Sequence, residues 1–222
     1  MRDHLAWLGG ELGAARDADV LLARLAERGH ALPAASAEGV RELIAALEQR
    51  RAQAYAELLE QLRSDRYLRL LDRLIDAARA PALRRGKADQ PARKALRPLV
   101  GNGWRTLERQ VGSLSEPPRD EELHMVRILA KRCRYAAEVA APVLGPRIRK
   151  FATAASRLQD TLGELHDAVV AEGWLREWTT RGPSAAGAFS AGELAALQRE
   201  DADRARSQWP CAWRFVEKAA PA

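Results

Sequence analysis

The sequence predicts an all-α protein, and three features of its composition carry that prediction. Ala, Leu, Arg and Glu, which are strong helix formers, dominate the 222 residues. Few segments are rich in the Val, Ile and Thr residues that favour strands. Hydrophobic and charged residues make up 47% and 30% of the chain, as in ordinary globular proteins. We therefore expect helices packed around one sizeable core or two small ones.

In the first part of the chain, the apolar pattern and its interruptions predict three helices. The first covers about residues 2–28 and ends at the segment GHALPAAS. The second covers about 36–63 and begins at a serine, a residue type that caps helix N-termini. The third is YLRLLDRLIDAARA. Together they form a first helical half, residues 1–80. The stretch 81–91, with two prolines and a glycine, is predicted to be a linker.

The second helical half, residues 92–222, is predicted to contain four helices. One covers about 92–114 and is loosened at its GNG segment. The next covers about 119–142 and carries three acids in its first turn, where the helix dipole favours negative charge. A long helix follows over about 146–180.

The last predicted helix begins at Ser190 and extends towards Ala220. Ser190 and Glu193 have the spacing of a capping box, which would place the helix start there. Pro210 is expected to kink or split this helix because it cannot donate a backbone hydrogen bond.

The charge of the chain predicts a polyanionic partner. Its net charge is +6 and its pI is about 9.8. The candidates are nucleic acid, an anionic membrane surface, an acidic protein or polymeric phosphate. No run of about 18 apolar residues would span a membrane, and the early acidic residues do not fit a secretory signal. The two cysteines lack metal spacing and Cys133 is expected to be buried, so we predict a reducing, cytoplasmic location.

One predicted helix combines an apolar side with a dense row of cations. In HMVRILAKRCRYAAE, residues 124–138, a histidine and three cations fall within an arc of less than a quarter turn. Like charges three and four residues apart repel each other, so this arrangement favours an anion in front of it. A solvated face with a positive bias is the alternative. The basic face consists of these four residues and two that flank them: His124, Arg127, Lys131, Arg134, and the flanking Arg132 and Tyr135.

An internal repeat relates the two halves at an offset of 150 residues. Seven of eighteen positions are identical between residues 8–25 and 158–175. The repeat places a glycine, Gly13 or Gly163, in mid-helix, which predicts a close helix crossing at each. The aspartate four residues after each glycine is expected to pair with an arginine of a neighbouring helix. Plain solvated charge and a chemical role are the alternatives.

These motifs together resemble the CHAD domain, the conserved-histidine α-helical domain. The basic helix H-x-x-R-x-x-x-K-R-x-R-Y is followed by L-Q-D-x-L-G-x-x-x-D-A, and the first repeat is similar to the family's N-terminal half. The resemblance implies two pseudo-symmetric antiparallel helical bundles and binding of inorganic polyphosphate in a cavity lined by basic helices. It also implies polyphosphate-metabolising enzymes or polyphosphate granules as partners. The matching positions are His124, Arg127, Lys131, Arg132, Arg134 and Tyr135, then Leu158, Gln159, Leu162, Gly163 and Asp167.

The chain departs from the family's pattern at its start. In the family each half opens with its own basic helix, and the offset puts the first copy upstream of Met1. We therefore expect a first bundle that lacks its first helix, through a start set too late, a fragment or a degenerate member. Weaker polyphosphate binding and dimerisation through the exposed apolar face are the expected consequences.

The residue patterns favour binding over catalysis. The sequence has no G-x-x-x-x-G-K-[ST] and no G-x-S-x-G, so we predict no enzymatic activity and no cofactor. Its histidines lack metal spacing; Glu121 and His124 have a di-iron spacing without a second such motif, so no metal is predicted. Lys150 is a further predicted polyphosphate-binding residue. Weaker candidates are Arg50, Arg66, Arg97, Arg105, Arg147 and Arg149.

Two other functions remain open from the sequence. A nucleic-acid-binding protein would use the same cations but would need aromatic side chains among them, and Tyr135 is the only one near the basic face. The four tryptophans of the last two helices are expected in the core instead. The second alternative is a scaffold protein associated with granules.

Overall fold

The computed structural model is built from α-helices, which confirms the predicted all-α class. It describes residues 1–81, 86 and 89–221, and no strand occurs among them. Most of the predicted linker 81–91 lies outside the described residues, and the predicted halves 1–80 and 92–222 stay a prediction. The α-helices are α1 (Arg2–His30), α2 (Ala37–Leu62), α3 (Asp65–Arg79), α4 (Ala92–Gly112), α5 (Asp120–Leu144), α6 (Pro146–Thr179) and α7 (Ala185–Ala219); a 3-10 turn, Ala34–Ser36, precedes α2.

The first compact unit contains Met1–Leu83 and Val170–Arg199. Its core is built from leucines spaced four residues apart, which fall on one face of a helix. Burial of each such side chain stabilises the fold by about 2 kcal/mol. Two tryptophans, stacked with ring centroids 6.1 Å apart, complete this core as predicted. The main core residues are Leu21, Leu25, Leu43, Leu47, Trp174, Leu175, Trp178 and Leu194.

The second compact unit contains Arg84–Val169 and Glu200–Ala222. Trp104 stacks on Trp213 with ring centroids 5.4 Å apart and meets the edge of Phe151 at 5.9 Å. Trp209 packs against this core but is only partly buried. Cys133 is buried here as predicted, and burial raises the pKa of its thiol to about 11, so it is chemically inert at neutral pH.

The N-termini of α2 and α3 differ in how they are capped. Ser36 occupies the N-cap of α2, but its hydroxyl donates to Glu193 at 2.5 Å and does not cap the helix. Ser64, by contrast, accepts a hydrogen bond from the backbone N–H of Tyr67 and caps α3.

At the start of α5, the Glu122 carboxylate accepts a hydrogen bond from the backbone N–H of Arg119 at 2.8 Å. The predicted acidic first turn of α5 is therefore present and makes a specific contact.

The predicted start of α7 at Ser190 is wrong. The helix begins at Ala185, and Ser184 accepts a hydrogen bond from the backbone N–H of Gly187 at 3.0 Å. Ser190 lies inside the helix, fully buried, and its hydroxyl donates to the backbone carbonyl of Ser36 at 3.1 Å. A serine that appeared to be a cap therefore makes a buried tertiary hydrogen bond instead.

The predicted split at Pro210 does not occur, because α7 continues through it to Ala219. A kink at Pro210 and a loosening of α4 at residues 101–103 stay predictions, and α4 is helical through that segment. α5 ends at Leu144, two residues beyond the predicted end near Pro142, and is followed by Gly145, whose φ of 94° favours glycine. Packing explains the continuity of α7, because Trp213 and Val216 beyond the proline are buried in the core. Their burial offsets the hydrogen bond that Pro210 cannot donate.

The close helix crossings predicted at the repeated glycines are not found. A β-carbon at Gly13 would meet no atom within 4 Å among the described residues. At Gly163 it would lie 3.7 Å from the Arg127 Nε atom, an ordinary contact with a side chain. The close crossing occurs at Gly39, where a β-carbon would overlap the backbone carbonyl of Ala186.

The first unit exposes apolar side chains on α1 and α3. Each is more than a third exposed to solvent. Dimerisation through such a surface stays a prediction. The residues are Leu5, Leu12, Leu68, Leu71 and Ile75.

Candidate functional site

α5 separates an apolar face from the basic face in the second unit. Leu123, Val126, Ala130, Cys133 and Ala137 recur at helical spacing and are buried in the core. This burial leaves the opposite edge of the helix for the basic face. His124, Arg127 and Arg134 are half-buried there, whereas the other three members are exposed: Lys131, Arg132 and Tyr135.

Three contacts fix how α5 packs on α6. The ring of His124 lies 4.3 Å from that of His166, Arg127 lies against Gly163, and Arg134 donates to the hydroxyl of Ser156 at 3.5 Å. In each pair the residue numbers add to about 290, so the helices are antiparallel with a constant register. The α6 residues follow one another at helical spacing and form one face. That face also carries Gln159, which the register places opposite Lys131.

His124 is an uncharged member of the basic face at neutral pH. Burial, and then the positive charge of Arg127, lower the pKa of its imidazole. Its Nδ1 atom is buried and has no hydrogen-bond partner in the part of the chain that the structure describes. A neutral imidazole offers one donor and one acceptor, so His124 can orient a ligand without adding charge.

Arg127 is held between α5 and α6 with an unused donor. Its Nε atom is buried without a hydrogen-bond partner among residues 1–81, 86 and 89–221, beside the position that a β-carbon of Gly163 would occupy. Glycine at 163 leaves room for the guanidinium at the edge of α6. This contact gives the repeated glycine in the second half a role that the sequence alone did not indicate.

Arg134 is partly neutralised, whereas its cationic neighbours on α5 form no ion pair among the described residues. Its Nε atom lies 3.4 Å from the Glu138 carboxylate, too poorly aligned for a hydrogen bond. Its guanidinium also lies 4.8 Å from the centre of the Tyr135 ring, which the ammonium of Lys131 approaches to 5.9 Å. Tyr135 therefore lies among cations with 47% of its surface exposed.

Unsatisfied polar atoms are concentrated along this face. Among the described residues, six buried side-chain polar atoms lack a hydrogen-bond partner, and four of them lie between α5 and α6. A buried polar atom without a partner costs about 1–3 kcal/mol, so such a concentration is typical of a ligand site. The four atoms are His124 Nδ1, Arg127 Nε, Arg134 Nε and Gln159 Oε1.

Most of the other predicted cations lie apart from the basic face. Lys150 lines a separate groove between α6 and α7, and Arg97 and Arg147 line another of about 240 Å³ between α4 and α6. Arg149 lines the Lys150 groove and also a cavity of about 410 Å³ bordered by Glu138 and Ser156, which both contact Arg134. Arg105 donates to the Asn102 side chain in α4. In the first unit, the guanidinium of Arg66 lies 4.2 Å from the centre of the Trp7 ring, and Arg50 is exposed on α2. No hydrogen bond or ion pair in the described part of the chain joins Lys150 to the basic face.

Sequence reasoning missed the α6 side of the site and the contact that anchors it. Ser156 and His166 carry no motif of their own, and Gln159 belongs to the L-Q-D-x-L-G motif but was not predicted as a site residue. Arg206 of α7 donates to both carboxylate oxygens of Asp120 at 2.8–3.1 Å, which raises the pKa of the arginine. This ion pair joins α7 to the first turn of α5, four residues before His124. It depends on long-range packing, which no local sequence pattern indicates.

Residues 1–81, 86 and 89–221 contain no group of three or more His, Cys, Asp or Glu side chains that could hold a metal ion. No helix within those ranges is both long and apolar enough to cross a membrane.

The fold and the basic face define the class of this protein, which is all-α with cations gathered along one side of α5. The family described as "CHAD domain" matches residues 1–176, and the chain therefore belongs to the CHAD domain family. A solved structure, PptA from Streptomyces chartreusis, is similar to it with a TM-score of 0.73 and 25% sequence identity. The similarity covers 96% of this chain and 78% of that one. A search of the curated proteins finds no match.

Proposed function

We propose that this protein binds inorganic polyphosphate along the basic face of α5 and does not transform it chemically. The observation that carries the proposal is the row of cations in which the buried Nε atoms of Arg127 and Arg134 have no hydrogen-bond partner among the described residues. Membership of the CHAD domain family supports the choice of polyphosphate among the possible polyanions. Association with polyphosphate granules or polyphosphate enzymes would follow from such binding.

The chemistry of the face suits a linear chain of phosphate groups. Arg127 and Arg134 are seven residues apart, which corresponds to about 10 Å along the helix. Guanidinium groups bind phosphate oxygens through paired hydrogen bonds, and Lys131 between them supplies a point charge. Arg132 is exposed beside these residues. A ligand that extends along the helix would therefore contact several cations at once.

The same face supports binding better than phosphoryl transfer. Enzymes that transfer phosphoryl groups commonly use carboxylates that hold metal ions. Glu138 is the acid beside the cations of this face, and its carboxylate faces Arg134. No group of three or more His, Cys, Asp or Glu side chains that could hold a metal ion occurs in the described residues, which supports binding over transfer.

Titration with long-chain polyphosphate at two salt concentrations tests the proposal. The variant Arg127→Ala/Lys131→Ala/Arg134→Ala should bind about 100-fold more weakly, because three phosphate contacts are removed. The slope of log affinity against log salt concentration should also fall by about 2. Circular dichroism would check that the variant remains helical.

A matched control removes three exposed cations elsewhere. Arg16→Ala/Arg41→Ala/Lys94→Ala makes the same change in net charge, and none of these residues belongs to the basic face. We expect it to retain polyphosphate affinity within about threefold. Equal losses in the two triple variants would mean that net charge alone attracts the polymer, and would contradict the proposed site.

Competition with single-stranded DNA distinguishes polyphosphate binding from the alternative function, nucleic-acid binding. Tyr135 beside Arg134 and Lys131 is the feature that favours nucleic acid, because a base can stack on its ring. If polyphosphate binds preferentially, excess DNA will not displace it, and Tyr135→Ala will change its affinity little. Displacement by DNA together with sensitivity to Tyr135→Ala would instead identify a nucleic-acid-binding protein.

A further inference from the structure

One groove of the second compact unit lies between the first half of α6 and the last turns of α7. Its cavity volume is about 510 Å³, within the range of sites that hold small organic ligands. Three cations line it: Arg149, Lys150 and Arg157. Its apolar lining includes Phe215, Ala154 and Ala219.

The cations of the groove are not neutralised by the protein. No ion pair of Arg149, Lys150 or Arg157 occurs among the described residues, and no carboxylate in that part of the chain lines the groove. Lys150 and Arg157 are seven residues apart on one face of α6, with Arg149 beside them. Positive charges gathered in this way repel each other, and an anionic ligand would offset that repulsion.

Phe215 distinguishes this groove from a site for a purely inorganic anion. Its side chain is 49% exposed although it borders the apolar surface of Ala154 and Ala219. Phosphate groups alone gain nothing from an aromatic ring. A planar base gains stacking energy on such a ring, while attached phosphate groups reach the cations. The lining therefore matches a ligand that has an aromatic part and an anionic part.

Most of the groove lies on a different side of α6 from the residues that pack on α5, although Arg149 and Thr153 also line a cavity with Ser156 and Glu138. Gln159, Gly163 and His166 share the α6 face that packs on α5. Lys150 precedes Gln159 by nine residues, which at about 100° per residue is half a turn around the helix. A ligand in the groove therefore contacts cations that those α5 contacts do not involve.

We propose that this groove binds a nucleotide, with the base against Phe215 and the phosphates on Arg149, Lys150 and Arg157. The proposal does not rest on polyphosphate binding at the basic face. The two sites use different residues, so each can fail independently.

Calorimetric titration of the full chain with ATP, tripolyphosphate and adenosine tests the groove. ATP should bind more tightly than either of the other two, because only ATP has both parts. Phe215→Ala should weaken ATP binding about tenfold and leave tripolyphosphate binding unchanged. Lys150→Ala/Arg157→Ala should weaken the binding of ATP and of tripolyphosphate. Phe189→Ala is the matched control, because Phe189 is also on α7 and is 65% exposed.

Three results would overturn the proposal. One is an equal effect of Phe215→Ala on ATP and on tripolyphosphate, which would make the groove a simple anion site. Another is ATP affinity that responds to the α5 triple variant and not to the groove variants. The third is an absence of ATP binding by the folded protein; phosphatidylserine vesicles that then bind through Phe215 would identify a membrane surface as the partner.

Discussion

The guanidinium Nε of Arg127 lies 3.7 Å from the point where a β-carbon on Gly163 would stand. This contact joins the basic helix α5 to the repeated L-G motif of α6. It shows that the glycine of the second repeat leaves room for a cation at the proposed binding face. Gly13, the equivalent glycine of the first repeat, has no atom within 4 Å of the corresponding point among the described residues. The two copies of the motif therefore have different surroundings.

A small and a large side chain at residue 163 should act on different quantities, the free energy of unfolding and the polyphosphate affinity. Gly163→Ala places a methyl group at ordinary contact distance and should stabilise the protein by about 1 kcal/mol, because alanine favours a helix. Gly163→Leu should displace the Arg127 guanidinium and weaken polyphosphate binding about tenfold. Urea unfolding measures the first effect and polyphosphate titration the second. Gly13→Leu is the control; if it weakens binding as much, the Arg127 contact is not the cause.

The start of α2 should tolerate no side chain at Gly39. Gly39→Ala would bring the new methyl group into the backbone carbonyl of Ala186 and close to the Ser190 hydroxyl. Backbone cannot move aside as a flexible side chain can, so we expect a loss of about 1–3 kcal/mol in the free energy of unfolding. Gly13→Ala, in open space, should instead gain about 1 kcal/mol. Equal urea midpoints for the two variants would contradict the packing described here.

Glu122 should contribute to the acid sensitivity of the fold. Hydrogen bonds from Ser115 and Arg119 lower the pKa of Glu122 from 4.5 to about 2. The contribution of the ionised Glu122 carboxylate to the free energy of unfolding is therefore fully present above pH 4.5 and is lost as the pH falls towards 2. Thermal unfolding between pH 2 and 7 should show that Glu122→Gln lowers the Tm above pH 4.5 and has a shrinking effect below it.

Glu121 provides the control for this titration. It is the preceding acid in the same helical turn, and it makes no hydrogen bond or ion pair in the described part of the chain. Glu121→Gln should leave the pH profile of the Tm unchanged. A Glu122→Gln effect that stays constant down to pH 2 would show that packing, and not the ionised carboxylate, stabilises this helix start.

Polyphosphate binding should tighten as the pH falls from 7 to 5, and His124 should be responsible for part of that change. The pKa of His124 is lowered by burial and by Arg127, so the unliganded imidazole is neutral at pH 7. A bound anion would offset the charge of Arg127 and favour protonation of the ring. The other titratable or charged groups nearby are His166 of α6, Asp120 of α5, and Arg206 of α7, which pairs with Asp120.

The variant His124→Gln distinguishes the contribution of His124 protonation to the pH dependence of the affinity from that of other titratable groups. It keeps a hydrogen-bonding side chain but cannot gain a charge. Affinity measured at pH 5, 6 and 7 should rise more steeply with acidity for the unmodified protein than for the variant. Parallel profiles would assign the pH dependence to His166 or to other groups.

Local sequence patterns predicted the helices α1 to α6 more reliably than the start of the last helix, α7. The apolar period of 3.6 residues predicted α1 to α6 with bounds close to those observed, because helix formation depends mainly on neighbouring residues. The start of α7 was wrong because Ser190 has the local signature of a cap but is buried against Ser36, 154 residues away. The predicted split at Pro210 does not occur for a similar reason, because burial of Trp213 and Val216 stabilises the helix beyond the proline.

The sequence by itself determined the all-α class, the membership of the CHAD domain family and the row of cations on α5. Each of these is written in residues that are close together along the chain. Only the tertiary structure decided which α6 side chains face those cations, that Lys150 lies in a different groove, and that Phe215 joins it there. Helical periodicity fixes which side of one helix is apolar. The choice of neighbour for each side depends on packing between distant segments, and a single sequence does not encode that choice in any local pattern.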